Sequence, residues 1–532
     1  MYLKKKCLYL QSVYTMYHQL ACNNVTKLLR YTALQMFALT TLQVSGQNYV
    51  KTENYLDENG SHLTTSIQYY DGIGRKSISA SNAVSPSGKY VYTMQTYDIK
   101  GRDEQMWFPA VGSTTPVSLS YSDFETLSSS TYNGDYYGYF QNTYDLLGRV
   151  IRVDGAGSDW RTEGRHVSKR YDVNGQHTVK HYWATLDGDS LKGTGDYYPE
   201  GCLTMEETTD EDGRKTQVYK DFLDRTILER SIAADSLYDT YYVYNGRNQL
   251  CFVLSPEFQK SGYKDVYGYE YRYDNQGQMV KKIRPQCAEE QMFYDSQGRV
   301  IYTKDALGQY KFFFYDELGR QVIKGSCNNF NYHHYADVTM QSGQDGLFGT
   351  GYVYSYPSAL TAAVPNVVTF YDDYQFLSKT KFTANPHCSA LLKSSPANAT
   401  GLQTGSIVRT STNQFLLTAN YYDNLGRITD KREILEDNSI RITTFTYSFT
   451  DKPLTETTTL NRNGLVSTEV KTYTYYASND KLHTVSIAYN GNSPVTVAEY
   501  TYNDLGQVAT LTRGGNAGNI PFMTHSEPSP MS

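Results

Sequence analysis

The side chains of this 532-residue chain that could do chemistry are few, and their spacing works against it. His177 and His181 are four apart, which on a strand sets them on one face about 13 Å from each other, too far to share a metal. His333 and His334 would point to opposite faces of a strand. The seven cysteines (Cys7, Cys22, Cys202, Cys251, Cys287, Cys327 and Cys388) are far apart with no Cys-x-x-Cys, so neither a disulfide framework nor a thiolate zinc site has its usual signal. Asp210-Glu211-Asp212-Gly213 offers oxygens to calcium but lacks the full EF-hand ligand series. No His-Glu-x-x-His, Gly-x-Ser-x-Gly or Gly-x(4)-Gly-Lys-Ser/Thr occurs, which removes the zincin, hydrolase and P-loop readings. The many aspartates invite a paired-carboxylate glycosidase, yet the recurrent ones occupy turn corners. The expectation is no enzyme, no cofactor and no metal.

Those corners repeat. Tyr273-Asp274-Asn-Gln-Gly277-Gln278, Tyr294-Asp295-Ser-Gln-Gly298-Arg299 and Tyr315-Asp316-Glu-Leu-Gly319-Arg320 follow one another at 21-residue steps, the mark of a stacked repeat. Asp305-Ala-Leu-Gly308 falls midway through the last step, so each period holds two turns and two strands. The hexapeptide recurs at Tyr70-Asp71-Gly74-Arg75, Tyr97-Asp98-Gly101-Arg102, Tyr144-Asp145-Gly148-Arg149, Tyr171-Asp172-Gly175-Gln176, Tyr422-Asp423-Gly426-Arg427 and Tyr502-Gly506-Gln507. Asp-x-x-Gly suits a type I turn in which Asp accepts a nearby backbone N–H and Gly supplies positive φ. With a left-handed glycine this closes a hairpin with a bulge. The chain reads as a succession of β-hairpins. The repeated Tyr and Arg are expected to be structural, with Arg pairing a neighbouring Asp or lying over a Tyr ring.

Tyr-Asp-x-x-Gly-Arg at this period, with the intervening Asp-Ala-Leu-Gly, resembles the YD-repeat (RHS-repeat) family from about Gln47 to Arg513. The opening run Tyr69-Tyr70-Asp71-Gly-Ile-Gly74-Arg75, Gln95-Thr-Tyr97-Asp98 and Trp107-Phe-Pro109 resembles the N-terminal module of long bacterial proteins of this kind. Asp239-Thr-Tyr241-Tyr-Val-Tyr244 and Leu250–Pro256 resemble a later part of them. The resemblance implies strands wound into a hollow β-shell around cargo, commonly a C-terminal toxin domain freed by self-cleavage in a core region. Neither that core nor a toxin is recognisable here, so the expectation is a truncated or frame-shifted member, or one half of a shell.

Composition agrees with a thin sheet. Tyr accounts for 52 residues against 20 Phe and 3 Trp. Without Tyr and with Gly added, the apolar class is roughly 37%, below the typical ~45–50%. Tyr suits a sheet wetted on at least one face, because its ring buries area while its hydroxyl stays paired. The expected fold is therefore all-β: stacked antiparallel hairpins forming a curled sheet or partial β-shell. Net charge of −6 leaves no footprint for nucleic acid.

In chain order, residues 1–46 read as a signal-peptide region. Lys27 and Arg30 precede the apolar run Tyr31–Leu42, and Val44-Ser45-Gly46 place the cut between Gly46 and Gln47. The run is too short to span a bilayer. An alternative leader starts at Lys4-Lys5-Lys6 and ends at Ala21-Cys22, a lipoprotein-like cut, and residues 1–26 could be an over-extended start. Residues 47–145 form an N-terminal module with the first turns, and 146–325 form the main array. Residues 326–405 interrupt it, with a strand pair near 366–382 and a mobile loop near 384–404. Hairpins resume over 406–513, and 514–532 is expected to be a disordered tail without a strand.

Two function classes follow. The first is a non-enzymatic secreted scaffold, a partial shell of polymorphic-toxin-like type whose partner is an encapsulated or C-terminal toxin cargo. The second is a cell-surface protein binding carbohydrate or another envelope component, such as envelope glycans, through its Tyr-rich face.

Overall fold

The computed structural model describes residues 48–193, 195–233, 236–330, 339–340, 347–353, 360–378, 387–412, 414–514 and 520–522. The expected leader, and the cut expected between Gly46 and Gln47, lie outside the described residues. Among the described residues, 31 strands form one antiparallel sheet, and the fold is all-β. Nearly every strand lies beside its predecessor. Asn48–Tyr55 pairs with Leu63–Tyr70, which pairs with Lys76–Ser81, and the meander continues until Ile520–Phe522 pairs with Val508–Arg513. No helix among the described residues is long and apolar enough to cross a membrane.

Strand periodicity divides the ribbon into two faces. In Tyr310–Tyr315, Phe312 and Phe314 are buried while Lys311 and Phe313 point the other way. Register carries the buried face across neighbours: Phe314 lies opposite Ile323, Ile323 opposite Val368, and Phe370 opposite Gly405. A single sheet cannot bury this face alone, so excursions from the meander fold over it. The helix Tyr121–Thr131, opened by a capping box between Ser120 and Asp123, sets Phe124 edge-on to Trp107 at 5.5 Å. The excursion 174–203 brings Tyr182 to 5.0 Å from Tyr241. The short turn Gln375–Ser378 stacks Phe376 on Phe370 at 4.3 Å. Beyond Ile440 the same face turns to threonine, with no covering segment among the described residues. Hydroxyls pair across strands there, Thr446 with Thr455 and Thr474 with Thr484 at 2.7 Å, and Thr501 with Thr510 at 2.6 Å.

Because the chain meanders, successive turns fall on opposite long edges of the ribbon. One edge, the corner edge, carries the turns that start at Asp71, Asp98, Asp145, Asp274, Asp295, Asp316, Asp423 and Asn503. The other, the plain edge, carries those at Asp210, Arg284, Asp305 and Leu435. The loop Asn82–Tyr90 of the plain edge rests on corner-edge turns near the other end of the chain, joining Lys89 to Asp504 across 415 residues. Opposite edges meet only if the ribbon advances by its own width in one circuit. The accumulated strand twist has wound it into a spiral.

Four expectations need correction. Of the strand pair expected near 366–382, the described residues hold one strand. Residues 379–386 lie outside the described residues, and Val364–Asp372 is followed by the turn Gln375–Ser378 and pairs with Ala399–Arg409. That strand begins inside the stretch expected to be a mobile loop, because the proline- and serine-rich run ends at Pro396 and a Thr/Gln segment follows it. In the tail, Ile520–Phe522 is a strand, while residues 515–519 and 523–532 lie outside the described residues. Tyr171-Asp172-Val-Asn-Gly-Gln176 makes no hairpin turn; the strand His166–Val173 runs on into the 174–203 excursion, and Asn174 N–H binds Leu203 O. His177 therefore lies outside any strand, at φ 53°.

Candidate functional site: the stapled corner edge

Each Tyr–Asp corner has one construction. At Asp295 the backbone N–H donates to Arg299 O at 3.0 Å, and Gly298 N–H donates to Asp295 O at 3.1 Å. Asp295 Oδ1 accepts the N–H groups of Gln297 and Arg299, both at 2.9 Å, and Oδ2 accepts Arg299 Nε at 2.6 Å. Gly298 sits at φ 81°, a conformation that disfavours any side chain with a Cβ. Register slips by one residue between Phe293 and Tyr294, as a hairpin closed with a bulge requires. The same bonds close Asp71 with Arg75, Asp98 with Arg102, Asp145 with Arg149, Asp316 with Arg320, and Asp423 with Arg427. Gly74, Gly101, Gly148, Gly319 and Gly426 all have positive φ. Asp274-Asn-Gln-Gly277 has the same backbone with Gln278 in the Arg position. Each Arg thus pairs first with the Asp of its own turn, rather than with a neighbouring Asp as the sequence suggested.

The corners are also fastened to one another. The guanidinium of each corner lies over the Tyr ring of the next: Arg75 over Tyr97 at 4.2 Å, Arg102 over Tyr144 at 4.2 Å, Arg299 over Tyr315 at 4.7 Å, and Arg427 over Tyr447 at 5.0 Å. The Tyr hydroxyl then donates to the backbone carbonyl one residue beyond that Arg, or beyond the Gln that stands in its place. Tyr97 reaches Lys76 O at 2.9 Å, Tyr273 reaches Leu250 O at 2.9 Å, Tyr294 reaches Met279 O at 2.7 Å, and Tyr315 reaches Val300 O at 2.8 Å. Tyr422 makes a like bond to Gln403 O. Tyr70, the first of the series, stands opposite Asn48 and Lys76. Arg102 adds a bond to Asp145 O at 3.3 Å.

The electrostatics follow from these bonds. The Arg102 backbone N–H, and then its guanidinium, hold the Asp98 carboxyl below the usual carboxylate range. The backbone N–H groups of Arg75 and Arg149 pull Asp71 and Asp145 the same way. Partial burial pushes the hydroxyls of Tyr97, Tyr315 and Tyr447 up. A carboxylate committed to three donors, a Tyr donating to a carbonyl and an Arg between them are positioned to hold backbone. They are not aimed at an open site.

Several corners have no glycine in the place of positive φ, and the Asp-x-x-Gly pattern does not find them. Asp221-Phe-Leu-Asp224-Arg225 and Ser448-Phe-Thr-Asp451-Lys452 are full corners and Tyr476–Lys481 is one residue longer, with Asp224, Asp451 and Asp480 at φ 60°, 63° and 57°. Tyr244-Asn-Gly-Arg247 is full-length, with Asn248 in the glycine position at φ 65°. Asp and Asn tolerate this conformation best after Gly, so a search for Asp or Asn at the fourth place finds all of these but the longer Tyr476–Lys481. Phe370-Tyr371-Asp372 fills a corner's place without its turn: Arg320 lies 4.3 Å from the Tyr371 ring and its Nη1 bonds Asp372 Oδ1 at 3.0 Å.

Where the spiral meets itself, the contacts are polar and closely fitted. Lys89 Nζ lies 2.8 Å from Asp504 Oδ2, and the Ser85 and Ser87 hydroxyls reach Asp504 Oδ1 at 3.0 and 2.5 Å. Ser478 Oγ donates to Pro86 O at 2.9 Å, and Asn479 Nδ2 to Val84 O at 3.3 Å. A Cβ on Gly506 would stand 2.8 Å from Val84 O, whereas one on Gly74 would meet nothing within 4 Å. No pattern in the sequence marks this seam, since its halves are 415 residues apart at their charged pair.

Among the described residues no group of three or more His, Cys, Asp or Glu side chains is placed to hold a metal ion. Cys251, Cys327 and Cys388 are buried free thiols, and Cys202 and Cys287 are exposed ones.

Residues 42–173 match the family model described as "Domain of unknown function (DUF6443)". No curated protein sequence matches the chain. Among solved structures, the crystal structure of TcdB2-TccC3-Cdc42 is 12% identical, over 90% of this chain and 23% of that one, with a TM-score of 0.39. The crystal structure of TcdB2-TccC3 is 12% identical, over 91% and 24%, with a TM-score of 0.39. The Tc holotoxin pore of Photorhabdus luminescens is 13% identical, over 88% and 23%, with a TM-score of 0.40. The chain spans about a quarter of the length of these structures.

Proposed function

We propose that this chain is a non-enzymatic, secreted YD-repeat scaffold: a length of spiral wall that encloses a cargo polypeptide. The observation that carries this reading is the seam between Asn82–Tyr90 and the corners at Tyr476–Lys481 and Asn503–Gln507, because a ribbon that meets its own opposite edge has gone round something. The corners support it as well. Their acids, bases and aromatic hydroxyls are consumed in fastening one hairpin to the next, which suits a wall and leaves the motif tyrosines poor platforms for a sugar.

Negative-stain electron microscopy and small-angle scattering of the purified chain test the proposal. A ring with a central void, giving a distance distribution skewed to long vectors, is expected. A solid particle or an unrolled ribbon would overturn it. Saturable binding on a glycan array, lost when outward tyrosines are replaced by alanine, would favour the envelope-binding reading instead.

A further inference from the structure

Neighbouring strands of the ribbon are joined by backbone ladders, from Asn48–Tyr55 on Leu63–Tyr70 to Ile520–Phe522 on Val508–Arg513. The seam is joined otherwise. Among the described residues no backbone-to-backbone bond crosses from Asn82–Tyr90 to Tyr476–Lys481 or Asn503–Gln507. What crosses is side chains: Lys89, Ser85 and Ser87 hold Asp504, and Ser478 and Asn479 hold the carbonyls of Pro86 and Val84. Each side also keeps its own shape. Asn82 N–H donates to Thr65 O at 3.2 Å, its Oδ1 accepts Thr65 N–H at 2.7 Å, and Tyr90 N–H donates to Ser113 O at 2.8 Å. Opposite them, Tyr476 N–H closes on Lys481 O and Asn503 N–H on Gln507 O, both at 2.9 Å.

Parting the two sides therefore breaks no ladder and no turn. It uncovers the buried Ser85 and Asn479, polar groups whose lost partners water replaces. The charged pair is already partly wet, with 42% of the Lys89 side chain and 29% of the Asp504 side chain exposed. The excursions that cover the sheet are held differently, since lifting them exposes rings such as Phe376 on Phe370. We propose that the seam is a clasp. The spiral opens there with sheet and corners intact, and a polypeptide passes the wall between successive circuits. The movement is spread over the strands between the two sides, each changing its twist slightly. This rests on the enclosing role and adds the route by which the enclosed chain enters or leaves.

Thiol labelling of the full chain with iodoacetamide, read peptide by peptide in a mass spectrometer, is the test. Ser85→Cys sets a thiol in the closed seam; Cys251, Cys327 and Cys388 are buried references, and Cys202 and Cys287 exposed ones. Opening of the clasp exposes position 85 alone, whereas global unfolding exposes every buried thiol. Position 85 is expected to label at least tenfold faster than the buried references and well below the exposed ones. About 1 M salt, which screens the Lys89–Asp504 pair, is expected to speed it several-fold, and Lys89→Glu to do so without salt; neither is expected to move the buried references. Amide exchange over Asn82–Tyr90 in the unaltered chain checks the same salt response without a new thiol. Labelling at position 85 as slow as at the buried references, or an opening that ignores both salt and Lys89→Glu, overturns the clasp and leaves a ring in micrographs unexplained by it but standing. Labelling as fast as at Cys202 means that the seam does not form, and overturns the enclosing role together with the clasp.

Discussion

At Arg299 the three jobs of the repeat converge on one side chain. It closes its own turn through Asp295, roofs the ring of Tyr315, and lies within 3.5 Å of the carbonyl that opens the next corner. An Arg does this better than a Lys because its planar fork donates in several directions at once. Lys still serves at Lys452 and Lys481, which cover Tyr475 and Tyr502 at 5.5 and 4.8 Å. Arg299→Lys is therefore expected to lower the local unfolding free energy by less than Arg299→Ala, read as amide exchange over residues 294–316. The hydroxyl of Tyr315 has one partner, Val300 O at 2.8 Å. Tyr315→Phe is expected to cost about 1 kcal/mol, the net worth of one hydrogen bond. Tyr315→Ala also removes the partly buried ring under Arg299 and is expected to cost more, up to about 3 kcal/mol, the low end for aromatic truncations. Equal losses for the two variants would show that the hydroxyl, and not the ring, does the fastening.

At the scale of the element, the glycines separate strain from fit. Gly74 and Gly506 have similar φ, 86° and 78°, but a side chain on the first meets open space and on the second meets Val84. Gly74→Ala is expected to cost about 1–2 kcal/mol of backbone strain and nothing more. Gly506→Ala adds a collision with the backbone of the seam loop. Limited proteolysis is expected to cut Asn82–Tyr90 at least tenfold faster in Gly506→Ala than in Gly74→Ala, and equal cutting would mean the seam does not hold. The same contrast marks what could be read from the sequence. The hairpins and their Asp–Gly corners were legible because a turn is a local contract among six residues. Corners with Asp224, Asn248, Asp451 or Asp480 were hidden because another residue type meets the same φ requirement. The strand Ala399–Arg409 was hidden because its partner, Val364–Asp372, is separated from it by a proline-rich stretch that reads as loop. The seam was illegible for a different reason: its residues, Ser85, Lys89, Ser478 and Asp504, are ordinary loop residues that become partners only after the whole ribbon has curled.

The whole molecule multiplies small terms. Each staple is a modest interaction on a half-exposed edge, and stacked hairpins depend on neighbours for most of their stability. What is shared by many corners should then show in the protein's response to acid. Asp71, Asp98 and Asp145 are each held below the ordinary carboxylate value by backbone N–H groups, with the guanidinium of the same turn adding to the effect. A carboxyl whose pKa is lower folded than unfolded contributes stability that is complete above the unfolded value, near 3.8, and is lost as pH falls through the folded one. The melting temperature is therefore expected to be flat from pH 7 to about 5 and to fall steeply below 4, since several corners titrate together. Asn already replaces Asp at Asn245 and Asn503, keeping the acceptor oxygen without the charge. The triple variant Asp71→Asn/Asp98→Asn/Asp145→Asn is thus expected to melt somewhat lower at neutral pH but to lose less on going to pH 3. Its curve should converge on that of the wild type as the wild-type carboxyls protonate. Parallel curves for the two proteins would place the acid sensitivity elsewhere, in ion pairs such as Glu433 with Arg441, and would reduce the corners to turn geometry without an electrostatic share in holding the spiral.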